Sequence, residues 1–243
     1  MNGGRVNGGR TDSLHRLAGM VGLVGALLFF VGDMLFYGYF GAGATFRQEM
    51  IGVVQRDSVQ RLFAGGLVGP VAALLCMVGF WHVRANVEPR SPLLGRVMFF
   101  AFIALMVVGS ATHALWAAKG LAIKYCTGRP AAPCPELLAT TQEYWRLAYV
   151  LTEIPGYLGS LLLLVLVLLG RTSYPRWTAL ANPGVLLLGS SLPEWVPAPL
   201  GSVLTGGSTN LSIATFFLVS VATTWWRGPA WAASRGEPAR KAL

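Results

Sequence analysis

A few ionisable side chains interrupt otherwise apolar stretches of this chain. Asp33 lies within FFVGDMLFYG (residues 29–38), His113 within THALW (112–116) and Glu153 within TEIPGY (152–157). Exposing Asp to hydrocarbon at the centre of a membrane helix costs at least about 2.5–3.5 kcal/mol, so such groups usually face a bundle interior or a water-filled cavity. A buried carboxyl group can also act as a proton donor near neutral pH. We therefore predict acid/base chemistry, with Asp33 and Glu153 as acid and base and His113 as relay or orienter.

Aromatic, cationic and amide side chains at similar depths are the predicted binding groups. Tyr37 lies one helical turn beyond Asp33, and Trp116 lies one turn beyond His113. In the fourth apolar stretch, the spacing of Glu143, Arg146, Glu153, Tyr157 and Ser160 predicts one polar helical face. Asn210 lies near the start of the last apolar stretch. The predicted substrate-binding residues are Tyr37, Trp116, Arg146, Tyr157 and Asn210.

The elements that must position these groups are membrane-spanning helices. Hydrophobic residues make up 54% of the 243 residues and charged residues only 12%, about half the charged share of a soluble domain. Apolar runs of about 20 residues, long enough to cross a bilayer core, recur along the chain. The predicted fold is all-α, a polytopic transmembrane bundle of six or seven spans, with the six at residues 17–40, 62–84, 94–118, 140–170, 178–193 and 206–226.

Charge distribution predicts the orientation of these spans. With both termini in the cytoplasm, twelve Arg and Lys residues lie on the cytoplasmic side and seven on the other, as the positive-inside rule favours. A seventh span within residues 194–204 would move the C-terminus outside. We predict a multi-pass protein of the cell inner membrane with a cytoplasmic N-terminus, in which Asp33, His113, Glu153 and Asn210 share the outer half of the membrane.

Two cysteines support this orientation. Cys126 and Cys134 lie in the predicted outer loop KYCTGRPAAPCPE, and two cysteines so placed in an oxidising compartment can form a disulfide. Free thiols in a reducing loop are the other interpretation. Cys76 is expected to pack within the second span, and His82, at the inner end of that span, is expected to be interfacial.

The chain divides into a bundle and two tails. Residues 1–13 are Gly-rich and polar and are predicted to be a disordered cytoplasmic tail. Residues 14–227 are the predicted bundle, and residues 228–243 a basic cytoplasmic tail. The net charge of +9 is in this context a topology signal, and we expect no nucleic-acid partner.

Several short motifs match a known group of proteins. GDMLFYG (32–38), GGLVGPVAALLCMVGFWHV (65–83), THALW, EIPGY (153–157) and GSTNL (207–211) resemble an uncharacterised family of bacterial multi-pass membrane proteins. This resemblance implies the fold and the choice of residues, without a reaction. In architecture alone, small membrane terpene cyclases and sterol isomerases are similar, since they also place carboxylates in a helical bundle.

Three function classes are compatible with these features. The first is an isomerase, cyclase or hydrolase acting on a lipid or isoprenoid, since aromatic faces can stabilise a cationic intermediate. The second is a proton- or cation-coupled carrier that uses the same residues. The third is a structural or accessory protein in which Asp33 pairs with His113 or Arg146.

The chain has no phosphate-binding loop and no zinc signature, and we predict no cofactor. The expected partners are membrane lipids and a hydrophobic small molecule, and the sequence does not fix an oligomeric state.

Overall fold

The computed structural model describes the backbone of residues 6–38, 46–190, 196 and 200–225, and the side chains of 13–38, 50–190, 196, 200, 201 and 203–225. In chain order the elements are α1 (Val6–Tyr37), α2 (Phe46–Arg56), α3 (Val59–Val87), α4 (Pro92–Cys126), α5 (Cys134–Leu168), a 3₁₀ helix (Arg176–Ala181), α6 (Pro183–Leu187), α7 (Leu200–Gly206) and α8 (Ser208–Thr224). No strand occurs in the described ranges. The predicted all-helical class is confirmed.

Four helices are long and apolar enough to cross a membrane: Ser13–Tyr37 of α1, then α3, α4 and α5. The chain is therefore a helical membrane protein. α8 is also apolar but has only 17 residues. The predicted count of six or seven spans is not confirmed.

Glycines bring α1 and α3 into backbone contact. A Cβ on Gly22 would lie 2.5 Å from the Cα atom of Gly79, and a Cβ on Gly79 would lie 2.4 Å from Gly22 Cα. Only residues without a side chain allow this approach, which is how membrane helices commonly associate. α8 packs on α1, and α4 packs on both α3 and α5.

The core between these helices is aromatic. Phe80 of α3 stacks on Phe102 of α4 with ring centroids 4.2 Å apart, and Phe217 of α8 lies 5.0 Å from Phe80. All three side chains are almost completely buried. α5, in contrast, rests mainly on α4, and its backbone seldom comes close to that of α8 in the described part of the chain. Between these two helices, the Tyr149 side chain of α5 hydrogen-bonds Thr209 of α8.

The predicted fifth span, residues 178–193, is not a membrane-length helix over its described part. It consists of the end of the 3₁₀ helix and the five residues of α6. Asn182 separates the two: its Oδ1 accepts from Gly184 N at 2.9 Å, and its Nδ2 donates to the Ser160 carbonyl of α5 at 2.9 Å. Pro183 supplies no N–H, so it begins a helix more readily than it continues one.

The chain nevertheless passes from one end of the bundle to the other between residues 174 and 206. Tyr174 binds Ser220 at the end of the bundle where α1 carries His15, and the Gly206 carbonyl accepts from Tyr37 at the opposite end. We call these the His15 end and the Tyr37 end, and the α1 residues that name them are about 33 Å apart along the helix. The described parts of this broken crossing are the 3₁₀ helix, α6 and α7.

Arg61 of α3 fixes the end of α1. Its Nη2 donates to the carbonyls of Met34 at 2.8 Å and Gly38 at 3.0 Å, and its Nη1 pairs with Asp57. A cation at a helix C-terminus satisfies carbonyls that have no partner within the helix and complements the helix dipole. Burial raises the pKa of Asp57, an effect that the Arg61 and Lys124 charges oppose.

The predicted tails lie mostly outside the described residues. α1 begins at Val6, so its first turns fall within the segment assigned to the N-terminal tail. Residues 1–5, the tail 228–243 and the end of the predicted sixth span are not described, nor is most of residues 194–199.

Candidate functional site

A cavity of about 720 Å³ lies at the Tyr37 end of the bundle. Five helices and the α7–α8 junction surround it. We call it the Asp33 cavity. Its lining combines aromatic, apolar and polar side chains: Phe29, Asp33, Tyr37, Met50, Leu105, Met106, Gly109, Thr112, His113, Trp116, Lys119, Gln142, Trp145, Tyr149, Thr152, Thr205, Gly206, Ser208, Thr209, Asn210 and Ile213.

Three polar side chains from three helices meet on one wall. Asp33 of α1 is buried, and its Oδ2 accepts a hydrogen bond from Asn210 Nδ2 of α8 at 2.7 Å. His113 Nε2 of α4 lies 3.5 Å from Asp33 Oδ1, which is an ion-pair distance when the imidazole is protonated. Neither ring nitrogen of His113 has a hydrogen-bond partner among the described residues. The His113 side chain lines the cavity, and both of its ring nitrogens are buried.

The His113 ring is held in place by glycines and aromatic rings. A Cβ on Gly69 would lie 2.6 Å from His113 Nδ1, and one on Gly32 would lie 2.7 Å from Cε1. The Phe29 and Phe36 ring centroids are 5.3 and 5.0 Å from the imidazole centroid. These contacts leave the ring little room to turn, so its direction towards Asp33 is fixed by α1 and α3.

Lys119 occupies the part of the cavity nearer the end of α4. Its side chain is buried, and Nζ lies 4.2 Å from the Trp116 ring centroid and 3.7 Å from that of Trp145 on α5. Both distances are within the range of a cation–π interaction. We call this group the lysine cage. The sequence prediction counted Lys119 only as a loop charge, because the third span was expected to end at residue 118 whereas α4 continues to Cys126.

Three predicted site residues are not brought to the cavity. Glu153 does not line it. Arg146 is exposed and pairs with Glu143 at 2.6 Å, and Tyr157 is also exposed. The face of α5 that lines the cavity carries Gln142, Trp145, Tyr149 and Thr152. The predicted face therefore lies about one residue, or 100°, around the helix from the observed one. The acid/base pairing of Asp33 with Glu153 lacks a shared cavity.

Cys126 and Cys134 form a disulfide, with Cα atoms 4.9 Å apart. The bond joins the last residue of α4 to the first residue of α5. Further along the same two helices, towards the His15 end, the Thr112 and Thr152 hydroxyls hydrogen-bond to each other at 2.9 Å. The helices that carry His113 and the lysine cage are thus tied together at two levels.

Comparison with known proteins identifies the family. A family of unknown function, DUF6796, matches residues 11–225. The chain belongs to this family. No curated protein and no solved structure matches it.

The segment matched to DUF6796 also contains a second buried polar group at the His15 end, which the sequence prediction missed. His82 Nδ1 lies 2.9 Å from the His15 carbonyl, and its Nε2 lies 3.1 Å from Ser220 Oγ. Asn86 Nδ2 lies 3.1 Å from His15 Nε2, and the Tyr174 hydroxyl lies 2.7 Å from Ser220 Oγ. We call these five residues the His15 cluster. Burial raises the pKa of Tyr174 well above its ordinary value.

His82 does not line the Asp33 cavity, in line with the expectation that it stands apart from the predicted site, and its side chain is 1% exposed within the bundle. The pairs His82/Asn86 and Ser220/Thr224, each four residues apart on one helix, were the available sequence signal. In the described part of the chain, no three His, Cys, Asp or Glu residues are grouped so that they could hold a metal ion.

Proposed function

We propose that this protein is a membrane enzyme that transfers protons within a bound lipid or isoprenoid. The observation that supports this best is the convergence of Asp33, His113 and Asn210 from three helices on one wall of the Asp33 cavity. A volume of about 720 Å³ is within the range of small-molecule sites, about 300–1,000 Å³. We propose that the molecule enters from the bilayer between α5 and α8, whose backbones seldom come close in the described part of the chain.

In this proposal His113 is the group that gives and takes the proton. In an isomerisation, the imidazolium donates its Nε2 proton to one carbon of a double bond, and the neutral imidazole then takes a proton from a carbon next to the cationic centre, so atoms and charge balance. Asp33 stabilises the imidazolium before and after this exchange, and Asn210 holds the carboxylate in position. The faces of Trp116 and Tyr149 stabilise positive charge that develops on the substrate.

The orientation proposed here is that of the sequence prediction. We propose an inner-membrane protein with a cytoplasmic N-terminus, which places the Tyr37 end and the Asp33 cavity in the outer half of the bilayer. The distribution of Arg and Lys supports this orientation, and so does a disulfide at the Tyr37 end, because disulfides persist in oxidising compartments.

The test compares lipids in cells that express the wild-type chain, Asp33→Asn, His113→Gln or Glu153→Gln with lipids in cells carrying an empty vector. Mass spectrometry should show a lipid change with the wild type. We expect Asp33→Asn and His113→Gln to reduce this change about 10²- to 10⁴-fold, the usual contribution of a general acid or base. Glu153→Gln is the matched control, because it removes a carboxylate outside the cavity.

Two outcomes would contradict the proposal. One is a wild-type chain that leaves the lipid profile unchanged. The other is an Asp33→Asn variant that retains the full lipid change and that is folded, as shown by its melting temperature in detergent. If Asp33→Asn loses its fold while His113→Gln folds and stays active, Asp33 is a structural clasp.

A proton-coupled carrier is the second candidate. The observations that favour it are the His15 cluster at the opposite end of α1, α3 and α8, and a crossing built of short helices, a feature of carriers that bind solutes near broken helices. If the protein is a carrier, the purified chain in liposomes should move protons together with a solute, and Asp33→Asn should abolish this movement. If it is an enzyme, no such flux is expected.

A further inference from the structure

From the lysine cage we infer the chemical class of the ligand: an amphiphile with one anionic oxygen headgroup, a carboxylate or a phosphate, and a hydrophobic tail. This inference deepens the proposed function and rests on it for the reaction, though not for the binding. It assigns Lys119 as the group that binds the headgroup.

The first argument is the charge of Lys119. No carboxylate among the described residues lies within 4.0 Å of its Nζ, and no hydrogen bond to Nζ occurs there. Buried charges are ordinarily paired. The two tryptophan rings hold the ammonium in place by cation–π contacts, and they leave its donors available to an acceptor in the cavity.

The second argument is that further donors around the same cavity have no partner. Trp116 is buried, and its Nε1 has no acceptor among the described residues. The Thr205 hydroxyl of α7 is also buried and has no hydrogen-bond partner among the described residues. Buried N–H and O–H groups without partners are rare in native proteins. Together with Lys119, these donors fit a ligand that carries several acceptor oxygens.

The third argument is the order of groups along α4. Lys119 lies six residues from His113, which corresponds to about 9 Å along the helix axis. Lys119 is also nearer the end of α4, about 10 Å from Cys126. A headgroup at Lys119 therefore lies near the membrane surface, and the tail extends past His113 between Phe29, Met106 and Ile213. His113 would then act on the hydrocarbon part of the ligand, away from its headgroup.

The experiment measures binding of three probes with the same tail to the purified full chain in a non-ionic detergent. The probes are dodecanoate, dodecyl phosphate and dodecanol, and the signal is tryptophan fluorescence, to which Trp116 and Trp145 should contribute. We expect at least one anion to bind about tenfold or more tightly than dodecanol, since a hydrogen bond to a charged group is worth about that factor. The anion that binds more tightly identifies a carboxylate or a phosphate headgroup.

Two variants locate the effect. Lys119→Gln should lose the preference for the anion and bind it about as weakly as dodecanol. Arg146→Gln is the matched control, because it removes an exposed cation from the same end of the bundle, and it should keep the preference. Equal binding of anions and alcohol by the wild type overturns the inference, and so does a preference that survives in Lys119→Gln. If Lys119→Gln does not fold, the wild-type comparison still decides.

The same measurements separate this inference from the proposed enzyme. His113→Gln should keep the preference for the anion over dodecanol, because Lys119 is retained. Anion binding without a lipid change in cells contradicts the enzyme alone. The opposite result would be a lipid change in cells that depends on His113, together with equal binding of anions and dodecanol by the purified chain. That result contradicts the headgroup assignment alone.

Discussion

At the scale of single residues, Asn210 is the tightest partner of Asp33. Asn210→Leu keeps the size of the side chain but removes the 2.7 Å hydrogen bond. We expect the free energy of unfolding in detergent to fall by about 1.5–3 kcal/mol, the value of a hydrogen bond to a charged group. Thr223→Val on the same helix is the control, because in the described part of the chain it removes only bonds to carbonyls of its own helix. Equal losses in both variants would contradict a specific role for Asn210.

The sequence predicts a site residue correctly when its depth within an apolar stretch is enough to place it in the cavity. Asp33, His113 and Asn210 were predicted together because each is polar, lies inside an apolar stretch and falls at a similar depth. Lys119 could not be predicted in this way, because the boundary of α4 decides whether it is a loop charge or a buried cation. Glu153 does not line the cavity, and its position could not be predicted, because a 100° rotation of α5 is invisible in a helix with apolar residues on every side.

At the scale of elements, Asn182 decides how the fifth apolar stretch folds. Asn182→Ala removes the cap of α6 and the bond to the Ser160 carbonyl. We expect a loss of about 0.5–2 kcal/mol in unfolding free energy from the cap alone, measured by chemical unfolding in detergent. Ser110→Ala is the control, since among the described residues its hydroxyl binds only a carbonyl of its own helix. An unchanged stability in Asn182→Ala would mean that the cap has no part in holding this stretch against α5.

The elements were predicted well where hydropathy and length agree. Four predicted spans match α1, α3, α4 and α5. Each helix begins before its predicted range, α3 and α4 also end beyond it, and α1 and α5 end two or three residues short of it. The stretch 178–193 was predicted as a span on its apolar composition. Hydropathy averages over the very residues, Asn182 and Pro183, that break the helix. The tilt and rotation of each helix also depend on partners such as the Gly22–Gly79 contact, which only tertiary packing supplies.

At the scale of the whole molecule, the orientation in the membrane can be measured with thiols. In intact cells treated with an impermeant reductant, an impermeant maleimide should label Cys126 and Cys134 and leave Cys76 unlabelled, because Cys76 is buried between α1 and α3. Arg90→Cys, in the exposed turn between α3 and α4 and in a chain whose Cys126 and Cys134 are replaced by Ser, should react only after the cells are broken. The reverse pattern would place the Asp33 cavity in the inner half of the membrane.

The buried aromatic layer has an electrical consequence. Phe80, Phe102 and Phe217 lie between the polar side chains at the two ends of the bundle, and this layer is closely packed. A membrane voltage falls mainly across the part of the protein that polar groups and water do not occupy, and moving one elementary charge through 100 mV is worth about 2.3 kcal/mol. A proton exchanged between His113 and the nearer aqueous phase crosses little of that field. Turnover by the enzyme should thus be insensitive to de-energising the cell, whereas a carrier would have to drive charge through the phenylalanines and would respond to voltage.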